Sequence, residues 1–204
     1  GVEAASGVAS WVKRTVERLK EKNLTDVACC LDSSTNHRKL LTAEWEDKYK
    51  DRPARDPELS HQLKLVQELL KAEGFACVGI EGYEADDVMA SFAKQFPGKT
   101  TLLTQDKDCK QLLSDKCNML LDVEWKQDEH SGEHLPEYRW LSAKQHTEDT
   151  GISPALWVEY QILMGDATDG IRGVEGIGQK GAADLVKEFG TVEAVIHAAK
   201  LHTA

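Results

Sequence analysis

Short apolar runs alternate along this chain with longer amphipathic ones, and that alternation limits the fold more than any other feature. Residues 26–32 (DVACCLD), 75–80, 100–104 and 118–123 are long enough for buried strands and too short for helices. Ahead of the first run, Val8, Trp11, Val12, Val16 and Leu19 recur at helical spacing, which predicts a helix from Ala5 to Lys22 ended by a turn at Asn23. A helix is expected from Pro57 to Gly74, with proline at its start and glycine at its end, and another from Glu84 to Phe96. Parallel strands need crossovers of a dozen or more residues, usually helical, and these spacings supply them. The expected core is therefore an α/β domain with a mainly parallel sheet flanked by helices.

After Glu124 the pattern changes to a polar, histidine-containing stretch, followed by a helix starting at Ser153-Pro154 and running to Met164. Glycines then punctuate the chain at 165, 170, 173, 176, 178 and 181, and two short helices are expected at 179–189 and 192–199. These features divide the chain into a core at 1–150 and a smaller helical module at 151–204. Five cysteines without a CxxC pair argue against a zinc site or a disulfide framework and for a reducing cytoplasm. No apolar run approaches the roughly 18 residues that span a bilayer, so no membrane partner is expected.

Acids follow the predicted strands and helices in four groups: Asp32; Glu84, Asp86 and Asp87; Asp106 and Asp108; Asp166 and Asp169. In open α/β sheets the carboxyl ends of the strands are where ligands bind, and one sheet edge is expected to gather most of these side chains. Taken singly, each has a plain alternative as a helix cap, a turn residue or a solvated loop. Taken together, converging carboxylates repel one another unless cations lie between them, and hard oxygen ligands suit Mg²⁺ or Mn²⁺. Two such ions can activate a water and stabilise a leaving oxygen in phosphodiester hydrolysis, which needs no protein nucleophile. The seven histidines are scattered and read as surface residues. Setting the eight acids aside reduces the formal net charge of −10 to −2, which removes the objection to a nucleic-acid partner.

Gly173 to Ala182 (GVEGIGQKGA) places a tight glycine turn directly before a helix. Backbone amides at such a turn, aided by the helix dipole, suit a phosphate, which is the geometry of a helix-hairpin-helix grip. Lys180 is then free to reach a DNA backbone, with Val174 and Ile177 packed inward and Gly173, Gly176 and Gly178 allowing close approach. A plain glycine-rich loop is the alternative. Arg38, Lys39, Lys48, Lys50, Arg52 and Arg55 form a second basic stretch, either a DNA surface or a solvated face.

The motifs at 82–88 (GYEADDV), 104–108 (TQDKD), 163–169 (LMGDATD) and 173–182, in that order, resemble the 5′-nuclease family of flap endonucleases, phage 5′-exonucleases and the N-terminal domain of bacterial DNA polymerase I. The resemblance implies a PIN-like catalytic domain over 1–150 with a C-terminal helix-hairpin-helix module. It implies that Asp32, Glu84, Asp86 and Asp87 serve one metal centre, and Asp106, Asp108, Asp166 and Asp169 the other or the link between them. Lys50 would steer the scissile phosphate, Asp86 and Asp106 would be indispensable to cleavage, and Arg38 and Arg52 would support the 5′ strand. It further implies a K⁺ ion at backbone carbonyls near Val174 and Ile177, although Gly170, Arg172, Glu175 and Gly181 replace the more usual Asn, Pro, Pro and Thr.

The expected activity is 5′-3′ exonuclease and flap endonuclease action on DNA with 5′ ends, flaps or gaps, by a monomer, fused to or acting with a DNA polymerase. Relatives carry an earlier strand ending in a metal-binding aspartate, expected here upstream of Gly1. Without it the chain would grip branched DNA and not cut. An RNA-cleaving toxin of the related PIN fold fits the acids but not the hairpin.

Overall fold

The computed structural model describes residues 2–21, 23–33, 35, 37, 56–167 and 170–202. Two compact units emerge. One holds the described residues up to His37 together with 56–89 and 125–136; the other holds 90–124 and the described residues from 137 onward.

In the first unit, helix α1 (Val2–Lys20) begins earlier and ends earlier than its apolar periodicity suggests. Ala5, Ala9, Val16 and Leu19 are its buried side chains, along with Thr15, while Val8 is 49% exposed. The small alanines at 5 and 9 join Thr15, Val16 and Leu19 on one buried helical face. Asn23, with φ +68°, turns the chain after the helix. α1 packs against α2 (Pro57–Ala72), whose start is set by Asp56: its side chain accepts a hydrogen bond from the Glu58 N–H at 2.8 Å, and Pro57 occupies the first turn. Strands β1 (Ala28–Leu31) and β2 (Ala76–Gly79) pair in parallel, Ala28 opposite Ala76 through Leu31 opposite Gly79. Helix α3 (Ala85–Gln95) starts shortly after β2.

Strand β3 (Thr100–Leu103) pairs in parallel with β4 (Cys117–Gln127), Thr100 opposite Cys117, and a short 3₁₀ helix at Lys107–Leu112 lies between them in sequence. Met119 and Leu120 on β4 are fully buried, each contributing about 1.5–3 kcal/mol relative to exposure. β4 runs beyond the predicted 118–123, and the polar stretch after Glu124 holds further regular structure. It contains β5 (His134–Leu141), beside β4 at the edge of a three-stranded sheet, and α4 (Ala143–Thr150). Pro136 fits β5 because an edge strand does not need every N–H for pairing. Ser142 caps α4 by accepting from the Gln145 N–H at 3.1 Å, and Gly151 (φ +69°) ends it.

In the second unit, Pro154–Leu156 forms a 3₁₀ turn leading into α5 (Trp157–Met164). A two-residue hairpin, β6 (Gly165–Asp166) with β7 (Ile171–Arg172), precedes α6 (Gln179–Phe189) and α7 (Val192–His202). Ile152, Leu163, Ala182 and Val186 form the core of this helical region, flanked by Leu156, Tyr160, Met164, Ile177 and Val192. Glu159 ties α5 to α7 by accepting from the Val192 N–H at 2.8 Å. No described helix is long and apolar enough to cross a membrane.

Candidate active site

In the first unit the acids sit where β1 and β2 end and α3 begins. Asp32 follows β1, and its Oδ1 accepts a hydrogen bond from the Ala85 N–H at 2.9 Å. Asp87 Oδ2 accepts from the Glu84 N–H at 3.1 Å, one half of a capping box. The Asp86 carboxylate lies near the Cys30 thiol, whose pKa is raised first by burial and then by that charge. The loop before Glu84 is tied back to the segment after β1. Ser33 Oγ accepts from the Gly82 N–H at 3.1 Å, the Ser33 N–H donates to the Tyr83 carbonyl at 3.1 Å, and the His37 N–H donates to the Gly82 carbonyl at 2.8 Å. Gly82 (φ +85°) has the His37 imidazole where a Cβ would project, so any other residue would strain the backbone and displace that ring.

In the second unit Asp106 caps the 3₁₀ helix, its Oδ1 accepting from the Asp108 N–H at 2.9 Å, while its own N–H donates to Thr104 Oγ1 at 3.0 Å. Asp108 Oδ1 accepts from Gln161 Nε2 on α5 at 2.6 Å. Asp166, at the C-terminal end of the same helix, is 9% exposed and forms an ion pair with Lys107, Nζ to Oδ1 2.7 Å. Trp157, also on α5, donates its indole N–H to the Lys107 carbonyl at 2.8 Å. The Lys110 ammonium lies 4.8 Å from the Trp157 ring centroid, and the His146 ring meets it edge-on at 4.8 Å. His146 is thus 1% exposed, against its assignment to the surface. Its pKa is lowered, by burial and then by Lys110, against a smaller opposing pull from Asp149. Its neighbours in sequence are polar, and only the tertiary packing on Trp157 buries it.

The plain alternatives therefore hold in part, since Asp32, Asp87 and Asp106 do cap or brace helix starts. Capping does not exclude metal binding: a carboxylate has two oxygens and about four lone-pair sites, so one hydrogen bond orients it without exhausting it. In donor chemistry, a set made wholly of carboxylates fits Mg²⁺ or Mn²⁺. Among the described residues no three His, Cys, Asp or Glu side chains are gathered closely enough to hold a metal ion. Asp169, Lys50, Arg38 and Arg52 lie outside the described residues.

The glycine segment divides into two parts. Gly165 (φ +74°) closes against the 171–173 backbone and Gly173 against the end of α5: a Cβ on Gly173 would meet the Met164 carbonyl and lie 2.7 Å from the Leu163 carbonyl oxygen. Its lack of a side chain is thus accounted for by packing within the chain. Gly176 (φ +81°) and Gly178, by contrast, have nothing within 4 Å of a built Cβ, and Lys180 beside them is exposed. Ile177 packs on the helical core as expected. Val174 does not: it is 47% exposed, and its backbone holds the turn instead, its N–H donating to the Leu163 carbonyl at 2.8 Å.

Lys107, Trp157 and Gln161 were not singled out by sequence. Their only local signals are the lysine inside Asp106-Lys107-Asp108 and the one-turn spacing of Trp157 and Gln161.

Known proteins share this architecture. The T5 5′-exonuclease, in a mutant form, superposes with a TM-score of 0.70 at 25% identity, covering 95% of this chain and 69% of that one. The 5′-3′ exonuclease of Bacillus subtilis (strain 168) is 30% identical over 94% of this chain and 62% of its own length. The thermostable DNA polymerase I of Thermus caldophilus is 35% identical over 94% of this chain, which spans 21% of the polymerase. Residues 2–139 match the family described as 5′-3′ exonuclease, N-terminal resolvase-like domain, and residues 152–204 match its C-terminal SAM fold. This chain, with its PIN-like α/β architecture and its helical C-terminal region, belongs to the 5′-3′ exonuclease family.

Proposed function

We propose that the chain is a divalent-metal-dependent 5′-3′ exonuclease and flap endonuclease that hydrolyses DNA phosphodiester bonds in replication and repair. Family membership supports the chemistry, and one observation carries it to particular residues: α5 orients Asp108 through Gln161 while its C-terminal end holds Asp166 almost buried against Lys107. Asp32, Glu84, Asp86 and Asp87 would hold one Mg²⁺ or Mn²⁺ ion, and Asp106, Asp108, Asp166 and Asp169 a second. Such ions, when bound, lower the pKa of an attacking water and stabilise the leaving oxygen.

The protein's own residues set the geometry for that chemistry. Asp32 and Asp87 fix the start of α3, which presents Asp86, and the brace between Ser33 and Gly82 keeps this turn against β1. Thr104 and Asp106 fix the turn after β3 in the same way. Lys50, Arg38 and Arg52 would bind the phosphates around the cut, as the family resemblance implies.

Residues 1–150 would cut and residues 151–204 would hold duplex DNA. There the open turn at Gly176 and Gly178, the start of α6 and Lys180 suit a phosphate backbone, a contact that reads shape and not sequence. A K⁺ ion near the Val174 and Ile177 carbonyls belongs to the same contact. DNA with 5′ ends, flaps or gaps is the substrate of this cytoplasmic monomer, and the similarity to DNA polymerase I suits action with a polymerase.

A 5′-labelled flap incubated with Mg²⁺ tests this. Short 5′ products are expected from the wild type and none from Asp86→Ala or Asp106→Ala, with flap binding retained. Full cleavage by either variant would overturn the assignment.

A further inference from the structure

Two side chains one turn apart on α5 hold both ends of the same dipeptide. The Trp157 indole N–H donates to the Lys107 carbonyl at 2.8 Å, and the Gln161 amide donates to Asp108 Oδ1 at 2.6 Å. Fifty or more residues separate the partners in each pair. The tryptophan is itself fixed, 7% exposed, stacked on Tyr160 at 5.3 Å with the edge of His146 against it. A side chain so enclosed has little rotational freedom, so its hydrogen bond fixes the backbone at Lys107. Gln161 then selects the rotation of the Asp108 carboxylate, because an amide N–H at 2.6 Å leaves that oxygen little angular range. Asp166 lies two residues beyond the end of the same helix at Met164, so one helix links two acids that the sequence keeps far apart.

We infer that Gln161 and Trp157 are positioning residues, acting through Lys107 and Asp108 to set the orientation in which the Asp108 carboxylate meets a metal ion. The inference rests on the proposed metal-dependent reading. Groups that orient metal ligands through hydrogen bonds are typically worth about 10- to 100-fold in metal affinity.

Mn²⁺ titration of the full chain, followed by electron paramagnetic resonance of the free ion, tests the clamp without any cleavage assay. Gln161→Met, nearly isosteric and without a donor, is expected to weaken Mn²⁺ binding about 10- to 100-fold. In an Asp108→Ala background the same change is expected to cost less than about two-fold, since the partner is already gone. Trp157→Phe keeps the ring and removes the N–H; it is expected to weaken binding several-fold. Were both single variants to bind within two-fold of wild type, or were Gln161→Met to lose the same factor with and without Asp108, the clamp would be refuted. If Asp108→Ala itself binds Mn²⁺ like wild type, the metal assignment of Asp108 fails and takes the clamp with it.

Discussion

Replacing Lys107 by methionine keeps most of its aliphatic stem and removes the ammonium 2.7 Å from Asp166 Oδ1. At that separation the gross attraction is about 6 kcal/mol for an effective dielectric of about 20. The net loss is smaller, because the lysine side chain is 42% exposed and recovers part of its interaction from water, while the aspartate at 11% does not. Exposed pairs are worth about 0–1 kcal/mol, and breaking a buried pair costs about 3–5 kcal/mol. A pair with one buried partner should fall between, at about 1–3 kcal/mol. For a chain of this size that is a fall in Tm of about 2–12 °C, measured calorimetrically in EDTA. Divalent cation should then do for Asp166 what the ammonium did. A ligand at 100 times its Kd adds about 2.7 kcal/mol to whatever it binds. Lys107→Met is therefore expected to gain more Tm from Mg²⁺ or Mn²⁺ than the wild type gains. An unchanged Tm in EDTA, or an equal metal-induced rise in both proteins, would refute this account of Asp166.

Two further substitutions address the rest of the second unit. Gly173→Ala should cost about 1–3 kcal/mol or more, because its Cβ would press on the Met164 and Leu163 carbonyls, whereas Gly178→Ala, with open space around it, should leave Tm nearly unchanged; chemical denaturation separates the two. His146 has a folded-state pKa below its unfolded value near 6.5, so the unfolded chain binds the proton first and stability falls as pH drops through 6.5. His146→Phe, which keeps an aromatic edge against Trp157, should flatten the dependence of Tm on pH between 7.5 and 5, and an unchanged acid slope would contradict the buried neutral imidazole.

Much of this molecule was legible in local pattern. The strands at 28–31, 76–79 and 100–103, the helices at 57–72, 85–95 and 179–189, and the turns at Asn23 and Gly74 follow from periodicity and capping, which act over a few residues. β5 and α4 were missed even though Ser142 and Gly151 announce α4, because only Leu141 of β5 is buried and a mostly exposed edge strand has no apolar period to read. The acids were visible as motifs, but their roles as caps or possible ligands were not separable in sequence, since the same residue type at a helix start serves both.

What the chain determined alone was the order of its elements and the positions of its carboxylates along them. Tertiary structure decided which oxygen of Asp108 faces Gln161, that Asp166 is buried against Lys107, that His146 lies under Trp157, and that Val174 points outward while Ile177 does not. Propensity and hydrophobic period are carried by neighbours in sequence. A hydrogen bond between residues 108 and 161 exists only once a helix and a 3₁₀ turn have packed together, and no local pattern encodes that distance.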